Sequence, residues 1–260
     1  MRGSMKAGSQ SVQRATTLLR LVATHGLEGV RLLDVANESG LTRPTAHRLL
    51  KQLCAEGLLT QGGGRRYLLG PLLYELGLAA PSPIRRIDRM RPRLQSLAMQ
   101  TGDTAYLVLR SGDEAVCLHL EEGSFPIRAR TFEVGARRPL GMGAAGLALL
   151  AALPRQDALA TMERNTESLS RQGLTPAVVT QRLALARPGF AVSQGTITED
   201  VTGIAAVVPT QVGSPYLAVS VAAISSRIPN HRFSALQRAL VATARQLAAI
   251  EASGGTSATA

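Results

Sequence analysis

The chain has 260 residues, enough for two domains that each bury a core. With 45% apolar and 18% charged residues it falls outside the disordered class, and no apolar run is long and unbroken enough to read as a membrane span. The net charge of +11 implies an anionic partner or surface.

That charge is uneven. Residues 1–71 hold ten Lys/Arg against four Asp/Glu, whereas the remaining 189 hold nineteen against fourteen. Nucleic acid is the favoured partner. The opening MRGSMKAGSQS lacks an apolar signal core, and Cys54 and Cys117 sit in apolar patterns without a framework. Both are expected to be buried thiols in a reducing compartment, the cytoplasm.

Residues 11–25 carry Val12, Ala15, Leu18, Leu19 and Val22 at helical spacing, with Gly26 as a stop. After the link LEGVR, a short helix should bury Leu32 or Leu33 together with Val35 and Ala36. Gly40 supplies a left-handed turn. Thr42 is placed to cap the next helix through its hydroxyl, and Pro44 fits its first turn. Ala46, Leu49, Leu50 and Leu53 form the inward stripe of that helix, leaving Arg43, Thr45, His47, Arg48 and Lys51 outside. The apolar runs Leu58–Gln61 and Tyr67–Leu69 around three glycines read as a hairpin. Three helices and a hairpin make a winged helix-turn-helix, with Arg65 and Arg66 at the wing.

Residues 71–80 look like a short apolar helix, and Pro81 and Pro83 mark a linker. Beyond it a helix over 88–100 should bury Met90, Leu94, Leu97 and Ala98. Strands are expected over 104–110, 115–121, 189–193, 201–208 and 216–223. Helices are expected over 143–153, 157–165, 176–186 and 231–251. This mixture describes a separate α+β domain. The division is a tail over 1–8, a DNA-binding domain over 9–71, a linker helix over 72–86, an effector domain over 87–252 and a tail over 253–260.

In their order, SVQRATTLLRLV, LLDVANESGLTRPTAHRLLKQLCAEGLL and RRYLLG resemble the DNA-binding domain of the IclR family of bacterial transcriptional regulators. Residues 101–107, VGARRPLGMGAAGLALL over 134–150, residues 189–192 and GIAAV over 203–207 are similar to its effector-binding domain. The resemblance implies a winged helix joined by a helical linker to a GAF-like α+β domain. It also implies operator DNA and a small-molecule effector as partners, a homodimer or dimer of dimers, no membrane, no cofactor and no enzymatic activity.

Contacts to DNA fall to the second helix of the motif. Arg43 and Arg48 suit forked hydrogen bonds to guanine or phosphate, and Thr45 and His47 suit base edges or phosphate. Lys51 suits backbone charge, and Gln13, Arg14, Arg65 and Arg66 are further phosphate candidates. Against these stands the plainer reading of a solvated helix face.

Gly141, Gly143 and Gly146 spell G-x-G-x-x-G, the basis of an alternative as a nucleotide-dependent oxidoreductase. That fingerprint requires a βαβ unit, and Pro139 stands where its central strand is needed, while the acidic partner falls on Glu163 within an expected helix.

In the family the same stretch lines the effector pocket. Here Gly141 replaces a usual His, Gly143 a hydroxyl residue and Leu147 a Lys. Ser193 stands for an acid and Gly203 for a Cys, while Ser220 is kept and Ala222 replaces a second serine. The resemblance places Gly143, Ala144, Ala145, Leu147, Ser193, Gly203, Ser220 and Ala222 at the effector. These departures suggest a roomier, less polar pocket for a bulky aromatic or alicyclic acid, bound at the helix start without a cationic side chain. Arg128, Arg130, Arg137 and Arg138 read as solvated surface, with subunit contact or gating of an anion as the alternative. His119 and His231 are too isolated for a metal site.

Overall fold

A computed structural model describes residues 7–79, 87–187, 189–210 and 213–253. The chain divides after Ser82 into two compact units. Of the expected tails over 1–8 and 253–260, residues 1–6 and 254–260 lie outside the described residues, as does the stretch 80–86 of the expected linker.

In the first unit, α1 (Ala7–Thr24) turns its Leu18 and Val22 inward, against α2 (Leu32–Ser39) and α3 (Arg43–Ala55). Apolar residues three and four apart share a helix face, so Ala46, Leu50 and Leu53 are buried on α3 with Leu49 half-buried. Leu33 is 58% exposed, so the inward face of α2 is carried by Val35 and Ala36 with Leu32 half-buried. Gly40 adopts φ +67°, which lets the chain reverse between α2 and α3. Thr42 occupies the N-cap of α3 in extended backbone, but its hydroxyl donates to the Thr45 hydroxyl at 2.9 Å rather than accepting a backbone N–H. The expected capping bond to a backbone N–H is absent.

The hairpin forms from β2 (Leu59–Gln61) and β3 (Arg66–Leu69). A third strand, β1 (Val30–Arg31), lies within the stretch read as a plain link and pairs with β3, giving the antiparallel order β1-β3-β2. Val30, Leu59 and Tyr67 bring this sheet into the helical core. Helix α4 (Pro71–Ala79) closes the unit.

The second unit is a six-stranded antiparallel sheet, ordered β6-β5-β4-β9-β8-β7. Its strands are β4 (Thr104–Ser111), β5 (Glu114–Glu121), β6 (Arg137–Pro139), β7 (Phe190–Gln194), β8 (Val201–Val207) and β9 (Leu217–Ile224). Alternate residues of a strand face opposite sides. Leu107, Val219 and Val221 accordingly meet α5 (Ile87–Thr101) and α9 (Asn230–Ser253) on one face. Tyr106, Val108 and Ala218 face α6 (Gly143–Ala151), α7 (Arg155–Arg171) and α8 (Pro176–Leu185) on the other. Met90, Leu94, Leu97 and Ala98 point inward as the helical spacing of α5 requires. Helix α7 runs well past the expected 157–165, because Leu169 continues its buried stripe.

Helix α6 is buried on every side through Leu150, as an all-apolar helix must be. The preceding β6 is a short antiparallel edge strand, where Pro139 is tolerated because one side needs no donor. Every strand pair among the described residues is antiparallel. No βαβ unit surrounds Gly141, Gly143 and Gly146, which removes the basis of the oxidoreductase alternative.

Candidate functional site

Within the first unit, the start of α3 and the hairpin tip enclose an open groove of about 780 Å³. Arg43 and His47 enter it from α3 and Arg65 from the tip, with no Asp or Glu in its lining. Arg65 holds φ +57° beside Gly64 at φ +66°, a tight reversal that presents its side chain to solvent. Arg48 and Lys51 are exposed farther along α3, and Thr45 is half-buried and bonded to Thr42. Arg14 is half-buried on α1 and Gln13 exposed.

Arg66 stands at the start of β3 with its guanidinium engaged within the unit. Its guanidinium donates to the Gly29 carbonyl at 2.9 Å, tying β3 to the turn before β1. Arg31 is the residue missed in the sequence: it is exposed at the end of β1 and lines the groove. A two-residue strand leaves no periodic signal by which it is found.

In the second unit, a cavity of about 50 Å³ lies between α6, the sheet and the loop after β7. Gly143, Ala144, Ala145, Ser193, Gly203, Ser220 and Ala222 all line it. Leu147 does not: it is 1% exposed within the apolar core, one turn deeper along α6 than Gly143.

The glycines of this stretch do not stand in open space. A Cβ on Gly141 would stand 2.8 Å from Val179, and one on Gly143 would stand 2.8 Å from Ile197. Branched side chains therefore fill the space that a side chain at either position would take. Gly203 serves a close approach, since its Cβ would meet that of Ala144 at 3.2 Å.

The polar groups fall into two sets. Ser193 donates to the Thr196 hydroxyl at 2.8 Å, and Arg182 also donates to Thr196. The buried Tyr106 hydroxyl donates to the Ala129 carbonyl at 2.7 Å and accepts from the Thr131 N–H at 3.0 Å. Burial pushes the Tyr106 phenol above its ordinary range. Ser220 is buried at the cavity, and its hydroxyl has no partner among the described residues.

Arg138 overturns two expectations. It is not solvated surface, and it gives the cavity a cationic side chain. Its guanidinium carbon lies 4.5 Å from the Phe132 ring centre and its Nη2 donates to the Thr131 carbonyl. Desolvation lowers its pKa from the ordinary guanidinium value. The other arginines of that cluster are paired: Arg128 with Glu122, Arg130 with Glu133 and Arg137 with Glu114.

Cys117 is buried, which raises its thiol pKa to about 12, whereas Cys54 is only partly buried. His119 bonds Glu121 at 2.8 Å and His231 is exposed. Among the described residues no three His, Cys, Asp or Glu side chains gather as a metal site, and no helix is long and apolar enough to cross a membrane.

Comparison with known proteins separates this architecture from other winged helices. Residues 11–63 match the IclR helix-turn-helix domain, and residues 82–249 match the bacterial transcriptional regulator IclR C-terminal domain. The chain belongs to the IclR family. It is a DNA-binding transcriptional regulator with a C-terminal effector-binding domain.

The HTH-type transcriptional regulator BhcR of Paracoccus denitrificans is 30% identical over 92% of this chain and 86% of its own. A crystal structure of an IclR transcriptional regulator from Silicibacter sp. TM1040 matches with TM-score 0.80 and 26% identity, covering 92% of this chain and 95% of the other. An IclR homologue from Microbacterium hydrocarbonoxydans complexed with 4-hydroxybenzoate shares the fold at TM-score 0.68 and 21% identity, over 92% and 99% of the two chains.

Proposed function

We propose that this regulator reads its operator through Arg43, Thr45, His47, Arg48 and Lys51 of α3, with Arg31 and Arg65 on the flanking backbone. The convergence of Arg31, Arg43, His47 and Arg65 on one groove without a carboxylate carries this reading. A helix seated in the major groove places its first residues at base edges, and a wing beside it meets phosphates. Arg14 and Gln13 are farther phosphate contacts, and Arg66 acts within the fold.

The protein works as a homodimer or dimer of dimers in the cytoplasm, without catalysing a reaction. Two copies of α3 then address two half-sites of one operator. In the second unit the effector is a small aromatic or alicyclic acid, held among Gly143, Ala144, Ala145, Ser193, Gly203, Ser220 and Ala222. It acts by binding one arrangement of the subunits better than another, and α4 transmits the difference.

Footprinting on the DNA upstream of the gene, with and without candidate acids, tests this reading. The expected result is protection of a two-fold symmetric site that an acid changes. Uniform coating without sequence preference contradicts it.

A further inference from the structure

We propose that Arg138 is the residue of the effector cavity that reads the ligand's charge. The ligand is then a planar monocarboxylate on a ring, with its carboxylate on the guanidinium. This rests on the reading of the cavity as the effector site.

The register of β6 sets the two adjacent arginines apart. Arg137 pairs with Glu114 at 2.8 Å and donates to Ser111. Arg138 lies opposite Ala115, on the face of the sheet that looks toward α6. Alternation along a strand sends one guanidinium to a carboxylate and the other into the cavity.

Among the described residues Arg138 finds no carboxylate there. Its neighbour Glu133 is exposed and paired with Arg130 at 2.7 Å, and Glu122 is taken by Arg128 at 3.1 Å. Among the described residues, only the Thr131 carbonyl and the face of Phe132 answer its charge. A guanidinium withdrawn from water without an anion is an uncompensated charge, and a bound carboxylate compensates it with two parallel hydrogen bonds. Stacking on Phe132 fixes the plane of the fork, which favours a planar acid over a flexible one.

The start of α6 is the competing seat for an anion, and it is covered. Ile197 packs so closely on Gly143 that a Cβ there would stand 2.8 Å from its Cδ1. Ser220, buried and without a hydrogen-bond partner among the described residues, supplies a second polar contact in the same cavity. The lining also holds the apolar Phe132, Met142, Ala144 and Ala222, which suit a ring. A ring is larger than the present 50 Å³, so the lining gives way to admit it.

Titration calorimetry on the full chain with benzoate, cyclohexanecarboxylate and the neutral benzamide tests the assignment. Wild type is expected to prefer benzoate to benzamide, and Arg138→Gln to lose about tenfold or more in benzoate affinity while its benzamide affinity changes little. Arg138→Lys keeps a charge without the fork; it is expected to retain the preference for acid over amide at reduced affinity, and it serves if Arg138→Gln does not fold. A wild type that binds benzamide as well as benzoate, or binds none of the three, overturns the proposal. So does a folded Arg138→Gln that titrates with benzoate as wild type does. If acids bind through Arg138 but leave operator affinity unchanged, the charge assignment stands and the regulatory reading fails.

Discussion

Gly143 and Ile197 compete for one volume: the Cδ1 of Ile197 stands 2.8 Å from where a Cβ on Gly143 would be. Gly143 also holds φ +66°, a conformation that side chains resist. Together these fix both the start of α6 and the size of the cavity beside it.

Gly143→Ala is therefore expected to lower stability by about 1–3 kcal/mol in thermal unfolding. Adding Ile197→Ala restores only the steric share, because the left-handed backbone remains. An unchanged melting temperature for Gly143→Ala contradicts this account of the helix start.

On the DNA face, Arg43→Ala and Arg48→Ala are each expected to cost about 1–3 kcal/mol in discrimination between operator and unrelated duplex. The oligomeric state, read by sedimentation, stays as in wild type. Arg65→Ala acts differently: it weakens all sequences alike and flattens the salt dependence by about 0.9 in log–log slope per protomer. A loss of specificity without a change of slope would reassign Arg65 to base contact.

Acid sensitivity has a local source in the Asp113 turn. Arg164 donates to both Asp113 oxygens, at 2.7 and 2.8 Å, and this pairing holds the carboxyl below its usual range against the opposing effect of burial. The folded state thus favours ionised Asp113 more than the unfolded chain does. Its contribution is full above the usual aspartate range and is lost as pH falls through the lowered folded value. Asp113→Asn should make stability fall less steeply on acidification, in denaturant titrations between about pH 5 and 3. An unaltered acid limb shows that the pair contributes nothing.

A second carboxylate secures the fold itself. Asp103 is 4% exposed and meets Arg227 at 2.8 Å and Arg232 at 2.7 Å, joining the start of β4 to the segment leading into α9. Asp103→Ala leaves both guanidinium groups without a carboxylate and should cost about 3 kcal/mol in chemical denaturation. A change below about 0.5 kcal/mol would mean that water replaces the carboxylate.

Much of this architecture is legible in local pattern. The stripes Ala46–Leu50–Leu53 and Met90–Leu94–Leu97 follow the helical period, and those residues are buried. The sites are harder because they depend on register and rotation. Arg137 and Arg138 are indistinguishable as neighbours in sequence, and only the pairing of β6 with β5 separates them. Pro139 hides that strand, since an edge position cannot be told from a break. Leu147 lies close to true lining residues, yet the turn of α6 carries it into the core. The replacement of polar residues by glycine suggests added room, but Val179 and Ile197 reach the same space from distant parts of the chain.

The most direct measurement is fluorescence anisotropy of labelled operator duplex, isolated from the footprinted upstream DNA, titrated with the full chain at saturating benzoate and without it. The account predicts an apparent Kd shifted by about fivefold or more in wild type and unshifted in Arg138→Gln. An operator affinity identical with and without benzoate, while calorimetry shows the acid bound, would contradict it.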